Sequence, residues 1–227
     1  MLSQYVDKIC LTFQEAENSF SAEVKKKTVL TGLPVRDCFW HADKTKAQAF
    51  FHLDPSKVTI FETGGSQGAQ SLNRALSAIY PDLLQMNCQI IHAVGKKNIA
   101  EMKEVCNNLG LDEEKGLFLY PYLQEMDLAL AASDIVLSRA GASFLAELCA
   151  VGRAAILVPY PFAANDHQRA NANSLVKGGA AVLLEDMEMN KETLLATLKP
   201  LMQDREKGKK WLEKWQHSVN GMLCKKY

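Results

Sequence analysis

The sequence predicts an α/β domain of the Rossmann-like, doubly wound type, in which helices cover both faces of a parallel sheet. Short apolar runs, several of them rich in β-branched residues, alternate with stretches whose apolar residues mostly recur every three or four positions. The runs are nearly continuous in apolar residues, as expected for strands that are buried on both faces. Parallel neighbours need a crossover connection, which is usually a helix, so the alternation predicts a parallel sheet.

Each element has its own local signal. The apolar runs predict six strands: Val58–Phe61, Gln89–Val94, Leu117–Tyr120, Asp134–Leu137, Ala154–Val158 and Ala180–Leu184. The helical periodicity between them predicts five helices: Ala69–Tyr80, Asn98–Leu109, Gln124–Ala132, Ser143–Ala150 and Asp166–Lys177.

The two ends of the chain differ from this middle. Ile9–Phe13 is a compact apolar run that predicts a short strand, and the polar stretch Glu15–Lys27 after it is typical of a connector. Asp204–Trp215 is densely charged, with its tryptophans spaced to share one side of a helix. We therefore expect an N-terminal strand and connector over residues 1–27 and a larger domain with a C-terminal helix over residues 28–227.

Composition excludes several classes of protein. The chain has 227 residues, 48% of them hydrophobic, which is enough for a substantial core. Its 26 basic residues balance 26 acidic ones, so a nucleic-acid partner, which needs a basic surface, is not expected. The longest nearly apolar run, Ala154–Ala164, is about half the roughly 20 residues of a membrane-spanning helix. Met1–Lys8 lacks the features of a signal peptide, so we expect a cytoplasmic chain.

The cysteines predict neither a disulfide framework nor a metal site. The six are scattered without a C-x-x-C pair, and the spacing of Cys38 and His41 has no second pair to complete a zinc site. We expect each cysteine to be a reduced, unreactive, structural residue, because free cysteine behaves as a small buried hydrophobe. No D-x-D metal motif appears, and we expect no metal or other cofactor.

The sharpest motif is T-G-G-S-Q-G, which lies between a predicted strand and the helix that follows it. Glycines there bring backbone N–H groups close to a ligand, and the helix N-terminus favours negative charge, so a phosphate fits. The motif lacks the lysine of a P-loop and is not G-x-G-x-x-G, which argues against an NTPase or a dinucleotide enzyme. A glycine turn without a ligand is the alternative. The candidate binding residues are Gly64, Gly65, Ser66, Gln67 and Gly68.

A second junction of this kind, S-R-A-G-A-S, occupies residues 138–143 after the strand Asp134–Leu137. A helix begins there and carries Glu147 about one turn in. Two helix N-termini at the carboxyl ends of strands can flank one crevice and hold a diphosphate. Glu147 would then accept hydrogen bonds from ribose hydroxyls, and an ordinary exposed helix glutamate is the alternative.

Two further segments complete the candidate site. P-Y-P-F at residues 159–162 runs into N-D-H-Q-R-A-N at residues 165–171, a density of hydrogen-bonding side chains that suits a sugar. As alternatives, Asp166 is only a helix N-cap and His167 only a first-turn residue. Early in the chain, T-G-L-P-V-R ends a predicted strand with Arg36, which is either a partner for phosphate or a surface arginine.

Taken in order, T-G-L-P-V-R, G-G-S-Q-G-A, S-R-A-G-A-S-F-L-A-E and N-D-H-Q-R-A-N-A resemble the C-terminal half of the MurG family. That family transfers N-acetylglucosamine from UDP-N-acetylglucosamine to a lipid-linked muramyl-peptide precursor of peptidoglycan. The resemblance covers the chain from about Cys10 onward. It implies the C-terminal, donor-binding domain of a GT-B glycosyltransferase, in which two Rossmann-like domains face one cleft.

The resemblance also implies roles for single residues. The arginine of the first motif and the serine of the second would contact the diphosphate, and the backbone around a leucine would hold the uracil. The third motif would supply a helix start and the ribose carboxylate, and the glutamine of the fourth would bind sugar hydroxyls. The arginine after that glutamine stands where the family often has another residue type. These residues are Arg36, Ser66, Leu123, Ala142, Ser143, Glu147, Gln168 and Arg169.

The partners implied by the resemblance are UDP-N-acetylglucosamine and a lipid-linked muramyl-peptide acceptor at the inner face of the plasma membrane. The family's N-terminal domain, with its acceptor site and candidate base, has no counterpart before Met1, so the acceptor would be reached through a missing domain or a partner chain. A fragment, an isolated domain and one subunit of a split transferase all remain open. We expect donor binding in an inverting transfer without a metal. A nucleotide-sugar binding or regulatory module without chemistry of its own is the alternative, and the catalytic base stays unassigned.

Overall fold

Six parallel strands form the central sheet of the computed structural model, which describes residues 2–12 and 14–203. The predicted C-terminal helix Asp204–Trp215 lies outside the described residues. The strands of the sheet are β3 (Val58–Thr63), β4 (Cys88–Ala93), β5 (Leu117–Tyr120), β6 (Ile135–Ser138), β7 (Ala154–Leu157) and β8 (Ala181–Leu183). Their order across the sheet is β5-β4-β3-β6-β7-β8, and every neighbouring pair is parallel.

The chain before this sheet forms a smaller layer. Its elements are β1 (Ile9–Leu11), α1 (Ala22–Lys25), β2 (Thr28–Leu30), α2 (Asp37–Trp40) and α3 (Lys44–Phe50). Strands β1 and β2 pair in parallel as a separate two-stranded sheet. The two partners therefore lie on opposite sides of the predicted boundary at residue 27. The division into residues 1–27 and 28–227 stays a prediction.

Helices connect the strands of the central sheet. They are α4 (Gln70–Ser77), α5 (Tyr80–Gln85), α6 (Ile99–Leu109), α7 (Met126–Ala132), α8 (Ala142–Val151), α9 (His167–Lys177) and α10 (Lys191–Gln203). All six predicted strands are confirmed, with ends that differ by at most two residues. The predicted helix Ala69–Tyr80 is confirmed as far as Ser77, where α4 ends. Its last residue, Tyr80, instead begins α5, in whose first turn the missing N–H of Pro81 is tolerated.

Two buried clusters lie on opposite faces of the sheet. Successive strand residues point to opposite faces, and Ile60 belongs to one cluster while Phe61 belongs to the other. The cluster around Phe61 also contains residues of α3, α7, α8 and α9, and the cluster around Ile60 contains residues of α4, α5, α6 and α10. The doubly wound architecture is therefore confirmed. Among the helices of the described ranges, none is long and apolar enough to cross a membrane.

The cysteines divide by burial. Cys88, Cys106 and Cys149 are buried free thiols, and burial raises the pKa of Cys88 to about 11. Cys10 and Cys38 are exposed, so the burial on which their expected structural role rested does not hold for these two. Both lie in the short elements before the central sheet, and Cys224 lies outside the described residues.

The order of the strands reverses between β3 and β6. From β3 the sheet continues through β4 to β5 at one edge, and from β6 it continues through β7 to β8 at the other edge. The last residues of the two central strands, Thr63 and Ser138, are register partners. The loops that follow them therefore diverge from one point at the carboxyl edge, which is where open α/β sheets bind ligands.

Candidate functional site

The first loop of the site, Gly64–Gly68, leaves β3 and returns into α4. Thr63 Oγ1 accepts a hydrogen bond from the Gly65 amide at 3.2 Å, and the Gly68 amide donates to the Gly65 carbonyl at 2.9 Å. Gly65, Ser66 and Gln67 form an exposed tip. The loop thus presents its backbone and the Ser66 side chain to solvent in front of the α4 N-terminus.

The base of this loop is fixed by close packing against the loop after β4. A Cβ at Gly68, where φ is +72°, would overlap the Val94 carbonyl oxygen, and a Cβ at Gly95 would overlap the Gln67 carbonyl oxygen. The Asn98 amide donates to both carbonyls, at 2.7 Å to Val94 and 3.4 Å to Gln67. Only glycine permits this approach, so the two loops form one rigid unit below the exposed tip.

The second loop leads from β6 into α8. Gly141 is the residue before the helix, and a Cβ placed on it would meet nothing within 4 Å. Ala142 and Ser143 are the first residues of the helix, and Ser143 is exposed. The N-terminus of α8 is therefore open, and α8 follows β6 as α4 follows β3, so both helices begin beyond the carboxyl ends of the two central strands.

Glu147 and Arg36 are brought together although they lie far apart in sequence. Burial raises the pKa of the half-buried Glu147 carboxyl, the positive charge of Arg36 lowers it, and Asp127 raises it further. Arg36 is exposed, and its guanidinium carbon lies 5.0 Å from the ring centre of Phe39 in α2. The structure thus places an exposed cation and a half-buried carboxylate beside the second loop.

Gln168 joins the third segment to the second loop. Its Oε1 atom accepts hydrogen bonds from the backbone amides of Ala140 at 3.2 Å and Tyr160 at 3.0 Å. These two donors fix which way the amide faces, so Nε2 points away from both. Nε2 is therefore the end of this side chain that can donate hydrogen bonds to a ligand.

Arg169 is engaged within the fold. Its Nε lies 2.8 Å from Asp166 Oδ2, and its Nη1 forms an ion pair with Glu185. The hydrogen bond to Glu185 and, to a smaller extent, the hydrogen bond to Asp166 raise the pKa of Arg169. Asp166 stands at the N-cap position of α9, yet its side chain accepts from Arg169 instead of capping the helix. His167 is exposed, with Nδ1 2.7 Å from the Ala164 carbonyl oxygen.

Leu123 lies in the loop after β5, next to the loop that carries Lys96. The whole residue is buried, with its side chain in the core, whereas its neighbours Tyr122 and Gln124 are exposed. The neighbouring ring of Tyr122 is partly exposed, with Lys96 Nζ 5.7 Å from its centre. The predicted contact through the backbone around Leu123 stays a prediction.

Sequence reasoning missed a buried polar group beneath the first loop. Glu62 and His92 are register partners in β3 and β4, both fully buried, with His92 Nε2 2.6 Å from Glu62 Oε2. Neither carboxylate oxygen of Glu62 meets the geometry of a hydrogen bond with a described residue. His92 Nε2 also lies 3.0 Å from Asn73 Oδ1, and its Nδ1 bonds to the Tyr80 hydroxyl. Burial raises the pKa of Glu62, and the charge of His92 opposes the rise. A charged residue inside an apolar strand was the available signal.

In the part of the chain that the structure describes, no group of three or more His, Cys, Asp or Glu residues is placed to hold a metal ion. The expectation of a metal-free site stays a prediction.

Sequence comparison identifies the family. Residues 59–219 match the Glycosyltransferase family 28 C-terminal domain. The chain belongs to this family. The resemblance to MurG and the fold class of a GT-B C-terminal domain are both confirmed.

Two curated relatives show the degree of similarity. The UDP-N-acetylglucosamine--N-acetylmuramyl-(pentapeptide) pyrophosphoryl-undecaprenol N-acetylglucosamine transferase of Desulforamulus reducens is 38% identical over 210 residues, which are 91% of this chain and 56% of that protein. The protein of the same name from Halothermothrix orenii is 37% identical over 213 residues, 92% of this chain and 57% of that protein. This family 28 chain thus spans about half the length of the curated relatives it matches.

A solved structure gives the same correspondence. The crystal structure of Acinetobacter baumannii MurG superposes on this family 28 chain with a TM-score of 0.71 at 26% identity. The match covers 95% of this chain and 57% of the MurG chain.

Proposed function

We propose that this family 28 domain binds UDP-N-acetylglucosamine and supplies the donor-binding half of a transferase acting in peptidoglycan synthesis. The acceptor in that reaction is a lipid-linked muramyl-peptide, so the chain works at the inner face of the plasma membrane. One observation carries the proposal. Helices α4 and α8 both begin beyond the carboxyl ends of the neighbouring strands β3 and β6, and Glu147 in α8 lies close enough to Arg36 for their charges to interact.

The diphosphate would lie between the two helix N-termini. Both helices begin with backbone N–H groups that no side chain caps, and these groups carry partial positive charge. Ser66 at the loop tip and the exposed guanidinium of Arg36 add hydrogen-bond donors. A site of this kind stabilises the diphosphate both when bound and when it leaves.

The rest of the donor would extend to either side of the diphosphate. Glu147 accepts hydrogen bonds from ribose hydroxyls, and backbone groups around Leu123 pair with the polar edge of the uracil. On the other side, Gln168 donates from Nε2 to hydroxyl oxygens of the sugar, since its Oε1 is already occupied. Arg169 shapes this wall through its ion pairs with Asp166 and Glu185.

The transfer itself would be an inverting displacement. The acceptor hydroxyl attacks the anomeric carbon, the bond from that carbon to the diphosphate oxygen breaks, and a base takes the proton of the hydroxyl. The base and the acceptor would come from a facing domain or a partner chain, because the relatives named as transferases are nearly twice as long as the part that aligns.

The alternative is a nucleotide-sugar binding or regulatory module without chemistry of its own. The partial coverage of the relatives keeps this second function in view. An assay with a lipid-linked acceptor, run with this chain alone and with an N-terminal half from a relative, separates the two. Transfer of N-acetylglucosamine in the mixture supports the first proposal, and donor binding without transfer in either reaction supports the alternative.

A further inference from the structure

The side chain of Arg139, the residue directly after β6, links four separate segments of the fold. It is only 12% exposed. Its Nη1 lies 3.2 Å from both the Val158 and the Pro159 carbonyl oxygens, beyond the end of β7. Nη2 donates to Ser71 Oγ in the first turn of α4 at 2.9 Å, and Nη1 lies 2.6 Å from Asp186 Oδ1 after β8.

The contacts around this guanidinium close into a network. Ser71 Oγ donates to Asp186 Oδ1 at 2.6 Å, so the serine and the aspartate are bound to each other as well as to Arg139. The guanidinium carbon lies 5.5 Å from the ring centre of Tyr160. A nearly buried charge is tolerated only when it is paired, and here a carboxylate and several oxygens pair it. Only the planar, multi-donor guanidinium reaches all of these partners together.

The segments that Arg139 joins are those that form the candidate site. Ser71 belongs to the helix behind the first loop, Arg139 itself begins the second loop, and Pro159 begins the third segment. Two further bonds tie the last two together at Ala140: its amide donates to Gln168, and its carbonyl accepts from the Asn171 amide at 3.1 Å.

We propose that Arg139 is a positioning residue that holds these three segments in one geometry, so that the Nε2 amide of Gln168 reaches the sugar while the helix N-termini hold the diphosphate. This inference rests on the proposed function for its ligand. Protein oxygens occupy both terminal nitrogens of the guanidinium and the side chain is nearly buried, so in this proposal Arg139 acts through Gln168.

The test compares Arg139→Lys with a matched control. Lysine keeps the charge next to Asp186 but offers a single nitrogen, which cannot span both carbonyls and Ser71. Arg153→Lys is the control, because Arg153 is also an arginine that donates to backbone carbonyls, those of Leu130 and Ala131. Arg153 lies just before β7, at the opposite edge of the sheet. Ser71→Ala is a milder second variant that removes two hydrogen bonds of the network and no charge.

Amide hydrogen exchange, measured residue by residue without ligand, tests the positioning directly. In Arg139→Lys, we expect the amides of Ala140 and Tyr160 to exchange about tenfold faster, while Ile90 in β4 keeps its rate. Ser71→Ala should show a smaller rise at the same two amides, and Arg153→Lys none. Unchanged rates in both variants, or an equal rise at Ile90, overturn the inference.

Calorimetry adds the consequence for the ligand. We expect Arg139→Lys to lower the affinity for UDP-N-acetylglucosamine about tenfold and the affinity for UDP at most about threefold. The difference arises because only UDP-N-acetylglucosamine has an N-acetylglucosamine group for Gln168 to contact. Equal weakening of both ligands overturns the positioning role. If the parent chain binds neither ligand, the proposed function fails, and the exchange rates still decide whether Arg139 fixes the loops.

Discussion

At Glu147, burial and a nearby cation act in opposite directions on one carboxyl group. Burial raises its pKa, the positive charge of Arg36 lowers it, and Asp127 adds a smaller rise. The carboxyl is therefore held in a partly apolar surrounding with a cation close by, which favours a specific hydrogen-bonding role over general solvation. This is the property that a ribose-binding carboxylate needs.

Replacing Glu147 by alanine tests that role. We expect Glu147→Ala to reduce the affinity for UDP by about 1 to 3 kcal/mol, because two ribose hydroxyls lose their acceptor. Calorimetric titration with UDP gives the value, and Glu147→Gln, which keeps one acceptor oxygen in the same shape, should lose less. Equal UDP affinity in Glu147→Ala and the parent would remove the role.

Glu62 is a second residue whose burial has a measurable consequence. Its pKa lies above the ordinary 4.5, so the folded chain holds this proton more tightly than the unfolded chain does. The stability linked to Glu62 is therefore present below pH 4.5 and is lost as the pH rises towards the folded pKa.

In Glu62→Gln the side chain is uncharged at every pH, so this variant should not lose stability as the pH rises. We expect its melting temperature, relative to that of the parent, to rise progressively as the pH increases above about 5. The exposed Glu104→Gln in α6 is the control, for which the difference should stay flat. A constant difference for Glu62→Gln across the same range would contradict the inference.

At the scale of elements, the first loop depends on close contact between two backbones. Gly68 and Gly65 both have positive φ, +72° and +85°, but only at Gly68 would a Cβ collide with another segment. A substitution at Gly65 therefore tests backbone strain alone, whereas a substitution at Gly68 adds steric overlap with Val94.

Alanine at these two positions should have different effects. We expect Gly65→Ala to cost roughly 1 to 2 kcal/mol of stability through backbone strain alone. Gly68→Ala should cost more and weaken UDP binding at least about tenfold, because the loop after β4 must move away. Denaturant unfolding and UDP titration measure both effects. Equal losses for the two variants would show that the contact with Val94 does not shape the site.

The sequence pattern predicted most of the central elements, because each carries a local signal. All six strands are apolar runs, and α6 and α9 match their predicted spans closely. Helix α10 was not predicted, although Leu194, Leu195 and Leu198 are buried at helical spacing. The mid-helix Pro200 weakens such a pattern, since proline removes a backbone hydrogen bond.

The sequence predicts which residues belong to the candidate site, but it does not predict how they contact one another. The glycine motif and Glu147 have local signals, but the proximity of Arg36 to Glu147 depends on how α2 packs against α8. Occupation of Gln168 Oε1 by two backbone amides is likewise a property of the folded loops. The role of Arg139 depends on Asp186, which reaches it only because β8 lies beside β7.

At the scale of the whole molecule, the two buried clusters support the sheet from both faces, and the proposed ligand lies at the carboxyl edge of that sheet. The chain aligns with about half the length of its relatives, and the proposed donor contacts all lie within that half. Inverting transfer also needs an acceptor and a base on the opposite side of the donor.

We therefore expect the purified chain to bind donor without transferring it to a lipid-linked acceptor. His167 is the one histidine within the sequence motifs of the site, but it lies in the segment proposed to face the donor sugar. A radiolabelled transfer assay checks this expectation. Robust transfer by the chain alone, abolished in His167→Ala, would place the base in this chain and contradict the expectation.

The central claim is that the carboxyl edge of this sheet binds a uridine diphosphate sugar. Its most direct test is calorimetric titration of the chain with UDP-N-acetylglucosamine, beside a guanosine diphosphate sugar as a control for the base. The account predicts saturable one-to-one binding of the uridine ligand, accompanied by a rise in melting temperature, and no binding of the guanosine ligand. Absence of both heat and thermal stabilisation at millimolar UDP-N-acetylglucosamine would contradict it.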